Sequence, residues 1–228
     1  MTNCLWCDAQ LIVQVHWTEV FNPQAQVNVC QVCKNAIEKI KGPVCRKCSR
    51  PFYGEICDDC TSWKSIYNDE DPLSKNVSLF SYNSFMKEVM IRWKYQGDYI
   101  LGEIFRQLFA KQFKQKFSEK IKHVKIVPIP LSDERSKERG FNQALELASF
   151  IHPSPSLLLE RHHSEKQAKK SKIQRMNTKN PFYLKESINK PVVLVDDIYT
   201  TGRTLRHAAH LLKGNGCPKI YAYTLIRG

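Results

Sequence analysis

The sequence predicts an α/β protein, a mostly parallel sheet with helices on both faces, preceded by a small N-terminal module organised by cysteines. Three observations carry that expectation. Eight of the nine cysteines fall into four CxxC pairs within the first sixty residues. Beyond them, apolar stretches alternate between strand-like and helix-like periodicity. The last such unit is the clearest, because VVLVDDIYTTGRT, LRHAAHLLKGNG and KIYAYTLIR read as strand, loop, helix, glycine stop and strand. The expected division is a cysteine-rich module over 1–64 and an α/β domain over 65–228.

Taken in order, the first element is the cysteine module. Cys4 and Cys7, Cys30 and Cys33, Cys45 and Cys48, and Cys57 and Cys60 each leave two residues between the thiols. That spacing turns both sulfurs toward one ion at the roughly 2.3 Å that Zn²⁺ prefers, so eight thiolates fill two tetrahedral sites. Disulfides and an iron–sulfur cluster are the competing readings of the same thiols; the absence of a secretion signal argues against the first. Joining the pairs sequentially closes gaps of 22 and 8 residues and uses the shortest available loops, whereas a cross-braced scheme would interleave them. Closed Cys4 sites leave no position for water, so these metals are expected to be structural, folding a segment too short to bury its own core. Chelation is then expected to unfold the first sixty residues and spare the larger domain. Cys217, alone beside Gly216 and Pro218, reads as a small core residue.

A polar stretch from Asn68 to Pro72 marks the boundary. Val77 to Tyr82 then reads as a strand, and Phe85, Val89 and Trp93 recur at helical spacing. Val124 to Ile129 is a buried-strand run, and Phe141 to Phe150 is again helical. Val192 to Val195 is continuously apolar and β-branched, as in a central strand buried on both faces. Asp196 and Asp197 follow it and are too costly to bury alone, so they should face a cleft. Thr200, Thr201, Gly202 and Arg203, with Thr204 opening the helix, are suited to close backbone amides and hydroxyls around a phosphate at the helix's positive end. Carboxylates that accept hydrogen bonds from sugar hydroxyls complete a site for a ribose 5-phosphate.

Composition bounds the function. A chain of 228 residues with 42% hydrophobic content supports one medium domain and a small one. It contains no apolar run of about 18 residues, and the start MTNCLWCDAQ lacks a secretion signal, which implies a cytoplasmic protein with no membrane insertion. The formal charge of +13 calls for an anionic partner, ordinary solubility being the plainer reading. Residues 1–62 are balanced, with six basic and six acidic side chains, while 111–185 carry seventeen basic against seven acidic. Lys111, Lys114 and Lys116 read as a solvated helix face. The stretch from Lys166 to Lys179 interleaves its cations with Gln, Ser, Asn and Thr, the composition of a mobile loop, and Lys169, Lys170 and Lys172 within it are the candidate nucleic-acid contacts.

The run DDIYTTGRT resembles the diphosphosugar-binding signature of type I phosphoribosyltransferases, in which two acidic residues hold the ribose hydroxyls and the TTG-type loop holds the 5-phosphate. IVPIPLSDERSKERGFNQA resembles the hallmark of the ComF family, a PVPLS strand end followed by an RGFNQ helix start, and WKYQGDY resembles that family's K-Y-x-G-D segment. With four CxxC pairs in front, the chain is identified as a member of the ComF/ComFC family, a double zinc ribbon joined to a type I phosphoribosyltransferase-like domain. The resemblance implies that Ser132, Arg135, Arg139 and Gly140 bind pyrophosphate, a role that guanidinium forks suit; surface pairing of the arginines with Asp133, Glu134 and Glu138 is the bland alternative. It further implies phosphoribosyl pyrophosphate with Mg²⁺ as ligand, and a part in DNA uptake with a ComFA-type helicase and single-stranded DNA.

Two departures qualify this. Thr200 stands where purine-type enzymes carry an acidic base, and it takes no proton at neutral pH, which argues against ordinary purine salvage. The stretch HHSEKQAKKSKIQRMNTKNPF keeps Gln167, Arg175 and Phe182 of a family T-x-x-Q, R-x-x-N pattern and blurs the rest. Three functions are consistent with the sequence. The first is a binding module for incoming single strands, with Tyr95, Tyr99 and Phe141 suited to stacking although core packing is the simpler role for each. The second is a transferase displacing pyrophosphate with an unknown nitrogen acceptor. The third is a protein in which the sugar phosphate only regulates another contact. The sequence names no catalytic residue.

Overall fold

Strand β5, Val192–Tyr199, organises the larger domain because its first four residues are fully buried and apolar. It lies in a parallel four-stranded sheet of order β1-β6-β5-β2, with β1 at Lys75–Ser81, β2 at Lys125–Pro128 and β6 at Ile220–Arg227. A two-stranded antiparallel pair, β3 (Leu159–Arg161) with β4 (Phe182–Leu184), forms a second, smaller sheet. The computed structural model describes residues 3–11, 28–117, 124–161 and 180–228.

The pleat of β5 sorts its side chains between two cores. Val193 and Val195 join the first, beneath α3 (Ser84–Tyr95), α4 (Arg106–Phe117) and α6 (Gln143–Ile151), where Trp93, Phe105, Phe109 and Leu147 are fully buried. Val192 and Leu194 join the second, beneath α7 (Arg203–Gly214). That helix buries Leu205, Ala208, Ala209 and Leu212, one stripe at helical spacing. Helices therefore cover both faces, as the alternation of periodicities required.

The elements fall close to their expected places. Asn83 caps α3 by accepting from Met86 N–H at 2.8 Å, and Asn142 caps α6 by accepting from Ala144 N–H at 2.9 Å. The strand expected from Val77 begins two residues earlier, at Lys75. β5 does not stop at Val195 but runs on to Tyr199, because β6 supplies partners as far as Arg227. The short 3-10 helix Tyr99–Ile104 and the β3–β4 pair are additions that local periodicity does not announce, whereas Lys111, Lys114 and Lys116 lie exposed on α4, the solvated helix face expected of them.

The cysteine-rich segment contains α1 (Gln31–Ala36) and α2 (Asp58–Ile66). Its second half is continuous with the larger domain. Cys45, Cys48, Cys57 and Cys60 are buried in the same core as Leu73, Val127 and Leu205. Lys47 O accepts from Asn76 N–H at 2.7 Å, and Ser49 Oγ donates to Asn76 O at 3.0 Å, which covers the free edge of β1. Cys217 is buried as expected, with its thiol donating to Lys190 O.

Candidate functional site

The carboxyl ends of β2 and β5 lie side by side, Pro128 in register with Val195 and Ile129 N–H donating to Val195 O at 2.9 Å. Asp196 and Asp197 occupy successive positions on β5 and point to opposite faces of it. Asp197 pairs with Lys94 at the end of α3, both side chains being largely buried. Desolvation lifts the Asp196 carboxyl to about 7, with the adjacent charge of Asp197 adding to the effect. The two carboxylates thus have unequal surroundings, one neutralised by an ammonium and the other poised to take a proton near neutrality.

After Tyr199 the chain turns through Thr200 and Thr201, both exposed, to Gly202 at φ 76°, which caps α7. A Cβ at Gly202 would stand 2.2 Å from the Tyr199 hydroxyl and 2.5 Å from Arg206 Nη1, so only glycine fits. Thr201 Oγ1 accepts from Arg203 N–H at 3.4 Å, its carbonyl accepts from Trp63 Nε1 at 2.8 Å, and Thr204 is exposed on the first turn. An exposed rim of hydroxyls at the positive end of α7 is chemically suited to a phosphate.

The loop after β2 starts beside Asp196 and leads into α5, Asp133–Arg139. Ser132 caps that helix by accepting from Arg135 N–H at 3.4 Å, and Gly140 ends it at φ 73°. Arg135 is exposed. Arg139 instead donates to Gln143 Oε1 at 3.0 Å and to the Tyr95 hydroxyl at 3.1 Å, its guanidinium 5.0 Å over the Tyr95 ring. Sequence reasoning missed two cations here. Lys94 lies inside WKYQGDY, whose family likeness was the available signal. Arg161 comes from β3, where no local pattern marks it, yet its charge acts on Asp196. Among the described residues, the buried side-chain nitrogens without a hydrogen-bond partner are Arg139 Nε, Gln143 Nε2, Arg161 Nε and Arg227 Nε. Lys169, Lys170, Lys172, Gln167 and Arg175 lie outside the described residues. Tyr95 and Tyr99 are 64% and 65% exposed, whereas Phe141 packs against Trp93.

The eight knuckle thiols gather in two sets, Cys4, Cys7, Cys30 and Cys33, and Cys45, Cys48, Cys57 and Cys60, each with all sulfurs within 4.8 Å of one another. This is the sequential pairing. The first half of each set is the same hairpin, with Cys4 N–H donating to Ala9 O and Cys45 N–H to Arg50 O, both at 2.8 Å. Asp8 and Ser49 take φ 59° and 62° at the turn. The second half is a helix start, Cys30 capping α1 and Cys57 capping α2. Four thiolates about 2.3 Å from one ion stand about 3.8 Å apart; Cys7 to Cys30 is 3.7 Å and Cys48 to Cys57 is 3.6 Å. The donor sets therefore fit tetrahedral metal. Hydrogen bonding between Cys48 and Cys60 holds the Cys48 thiol down and pushes the Cys60 thiol up, so the set shares its protons unequally.

Away from this rim, a groove of about 350 Å³ runs between the second cysteine set and the edge of β1, lined by Lys39, Arg46, Lys75 and Lys116 with no carboxylate among its lining residues.

Residues 103–228 match the phosphoribosyl transferase domain family. The chain is 38% identical to Competence protein ComFC of Bacillus subtilis (strain 168) over 230 aligned residues, covering 98% of this chain and 94% of that protein. It belongs to the ComFC family of competence proteins. Competence protein ComFC of Streptococcus pneumoniae is 31% identical, with 87% of each chain covered. Competence protein F of Haemophilus influenzae is 27% identical over 89% of this chain and 92% of its own length. The domain match begins after Lys94, but the alignment to the ComFC relative of Bacillus subtilis spans nearly the whole chain, cysteine sets included.

Proposed function

We propose that this chain serves DNA uptake in natural transformation by binding phosphoribosyl pyrophosphate, or a sugar phosphate like it, at the carboxyl ends of β2 and β5. The observation that carries the reading is the pairing of two half-buried carboxylates, Asp196 and Asp197, with a glycine-capped helix start at Thr200 to Thr204. The carboxylates accept from the ribose hydroxyls, and the amides and hydroxyls of Thr200, Thr201, Gly202, Arg203 and Thr204 hold the 5-phosphate. Ser132, Arg135, Arg139 and Gly140 receive the pyrophosphate, and Arg161 faces the same anion. Bound Mg²⁺ supplies charge neutralisation for the diphosphate. The unpartnered Nε atoms of Arg139 and Arg161 support an anionic occupant, since a buried donor without a partner is costly. The competence role rests on the relatives, and a ComFA-type helicase and single-stranded DNA are the partners this reading assigns.

Zinc is the proposed metal of both Cys4 sets, because four thiolates in a closed tetrahedron suit it and leave no position for water. Single-strand contact is assigned to Lys169, Lys170 and Lys172, with the cationic groove along β1 as a second basic surface.

Turnover is the alternative reading, favoured by the unequal surroundings of the two carboxylates, an arrangement that separates proton-holding from charge-holding roles. Loss of pyrophosphate leaves positive charge on the sugar that Asp197 or Asp196 would stabilise. Titrating the protein calorimetrically with phosphoribosyl pyrophosphate and Mg²⁺, with and without single-stranded DNA, tests both. Binding without pyrophosphate release supports the ligand-controlled module; release on adding an acceptor supports the transferase. No heat of binding overturns the site.

A further inference from the structure

The second cysteine set and the phosphate-binding loop are joined by an unbroken chain of polar and stacking contacts. Cys57 caps α2, and two turns later the same helix carries Trp63. The indole Nε1 of Trp63 donates to Thr201 O at 2.8 Å, across 138 residues of sequence. The guanidinium of Arg206, on α7, lies 4.8 Å over the Trp63 ring. Arg206 is 1% exposed and forks onto Asp71, Nη2 to Oδ2 at 2.9 Å and Nε to Oδ1 at 3.2 Å, while Nη1 donates to the Tyr199 hydroxyl at 2.7 Å. Tyr199 in turn lies 5.0 Å beneath Arg227, whose Nη1 donates to Tyr199 O and whose Nη2 reaches Cys48 Sγ at 3.9 Å. The chain of contacts leaves one ligand set through α2 and returns to it through β6, with the loop held between.

We infer that occupancy of the second Cys4 set and binding of the sugar phosphate at Thr200 to Thr204 are coupled, with Trp63 and Arg206 as the positioning residues that transmit the coupling. The inference rests on the site proposed above. Its physical basis is local. Gly202 has the Tyr199 hydroxyl and Arg206 Nη1 where its Cβ would be, so the loop cannot shift inward without displacing them. Trp63 holds the peptide before Gly202 by its carbonyl, which fixes the plane of the following N–H, one of the donors a phosphate would meet. Without metal, four thiols replace a common ion and the start of α2 loses its anchor, so Trp63 loses its fixed place. A loop that must then be ordered by the ligand binds it more weakly. Linkage requires the reverse effect as well, so that bound ligand tightens metal retention by the same factor. The first set is turned toward other partners, Leu5 N–H meeting Asn28 O and Trp6 O accepting from Arg92 Nη1, none of them a residue of the loop.

Trp63→Phe in the full zinc-loaded chain tests this, since it leaves an aromatic ring for Arg206 to lie over and removes the donor. Two quantities are read: affinity for phosphoribosyl pyrophosphate with Mg²⁺ by calorimetry, and the chelator concentration that removes half of each zinc, with and without saturating ligand. In wild type the ligand should raise the chelator midpoint of one zinc and leave the other unchanged. In Trp63→Phe, zinc content should match wild type and ligand-free melting should fall only slightly, while affinity should fall about fivefold and the ligand's protection of that zinc should shrink. Equal affinity in the variant and equal chelator midpoints with and without ligand would overturn the coupling while leaving the site intact. A wild type that binds no ligand overturns the site, and the coupling with it.

Discussion

Asp196 is the residue whose chemistry can be tested apart from any ligand. A carboxyl lifted from its ordinary 3.8 to about 7 keeps a proton in the folded chain that the unfolded chain has released. Its contribution therefore favours folding at acid pH and is lost as pH rises from 3.8 through about 7. Asp196→Asn should stabilise the protein by about 2 kcal/mol at pH 8 and by much less at pH 4, read from urea melts at the two values. Equal shifts at both pH values would show the carboxyl to be ordinary. The same variant with Asp197→Asn should lose well over tenfold in ligand affinity, the loss of one or two charged hydrogen bonds. Arg206 is the opposite case, a buried cation whose partner Asp71 is 5% exposed. Arg206→Met strands that carboxylate and should cost about 3–5 kcal/mol in stability, and an unchanged melting curve would mean the pair is not formed.

At the scale of elements, the two cysteine sets have the same construction and different surroundings. Each joins a hairpin knuckle to a helix start, but only the second is buried against Leu73, Val127 and α7. Cysteine spacing alone implies that chelation spares the larger domain; the shared core argues instead that losing the second metal destabilises that domain directly. Cys60→Ser should therefore lower the main melting transition by at least several degrees, and by more than Cys7→Ser, an exposed thiol in a segment whose Leu5 and Trp6 are only partly buried against the first core. Equal effects from both would contradict the shared core. Much of this was legible in sequence, since CxxC spacing, the β-branched run before Asp196 and the stripe Leu205, Ala208, Ala209 and Leu212 are local patterns with local causes. Arg161 and Trp63 were not legible as site residues, because each arrives through tertiary packing from an element whose own periodicity concerns only its buried face, and Lys94 was marked only by the family likeness of WKYQGDY. Likewise β5's extension past Val195 depended on a partner strand, which no local pattern records.

For the whole molecule, the charge of +13 is concentrated in the larger domain, and single-strand binding there should weaken steeply with salt, roughly −0.7 in logarithmic slope per phosphate neutralised. Reversing charge at Lys169, Lys170 and Lys172 should flatten the slope by about one unit for each phosphate no longer neutralised, with little sequence preference and little effect on the sugar-phosphate ligand. An identical slope in wild type and variant would move the nucleic-acid surface elsewhere, the cationic groove along β1 being the next place to reverse charge. The proposed function depends on what occupies the ends of β2 and β5. The most direct measurement is calorimetric titration of the zinc-loaded chain with phosphoribosyl pyrophosphate and Mg²⁺, beside the same titration of the Asp196→Asn, Asp197→Asn variant. Saturable one-to-one binding by wild type, lost in a variant that still melts cooperatively, is the expected result; no binding by wild type, or the same affinity in both, would contradict it.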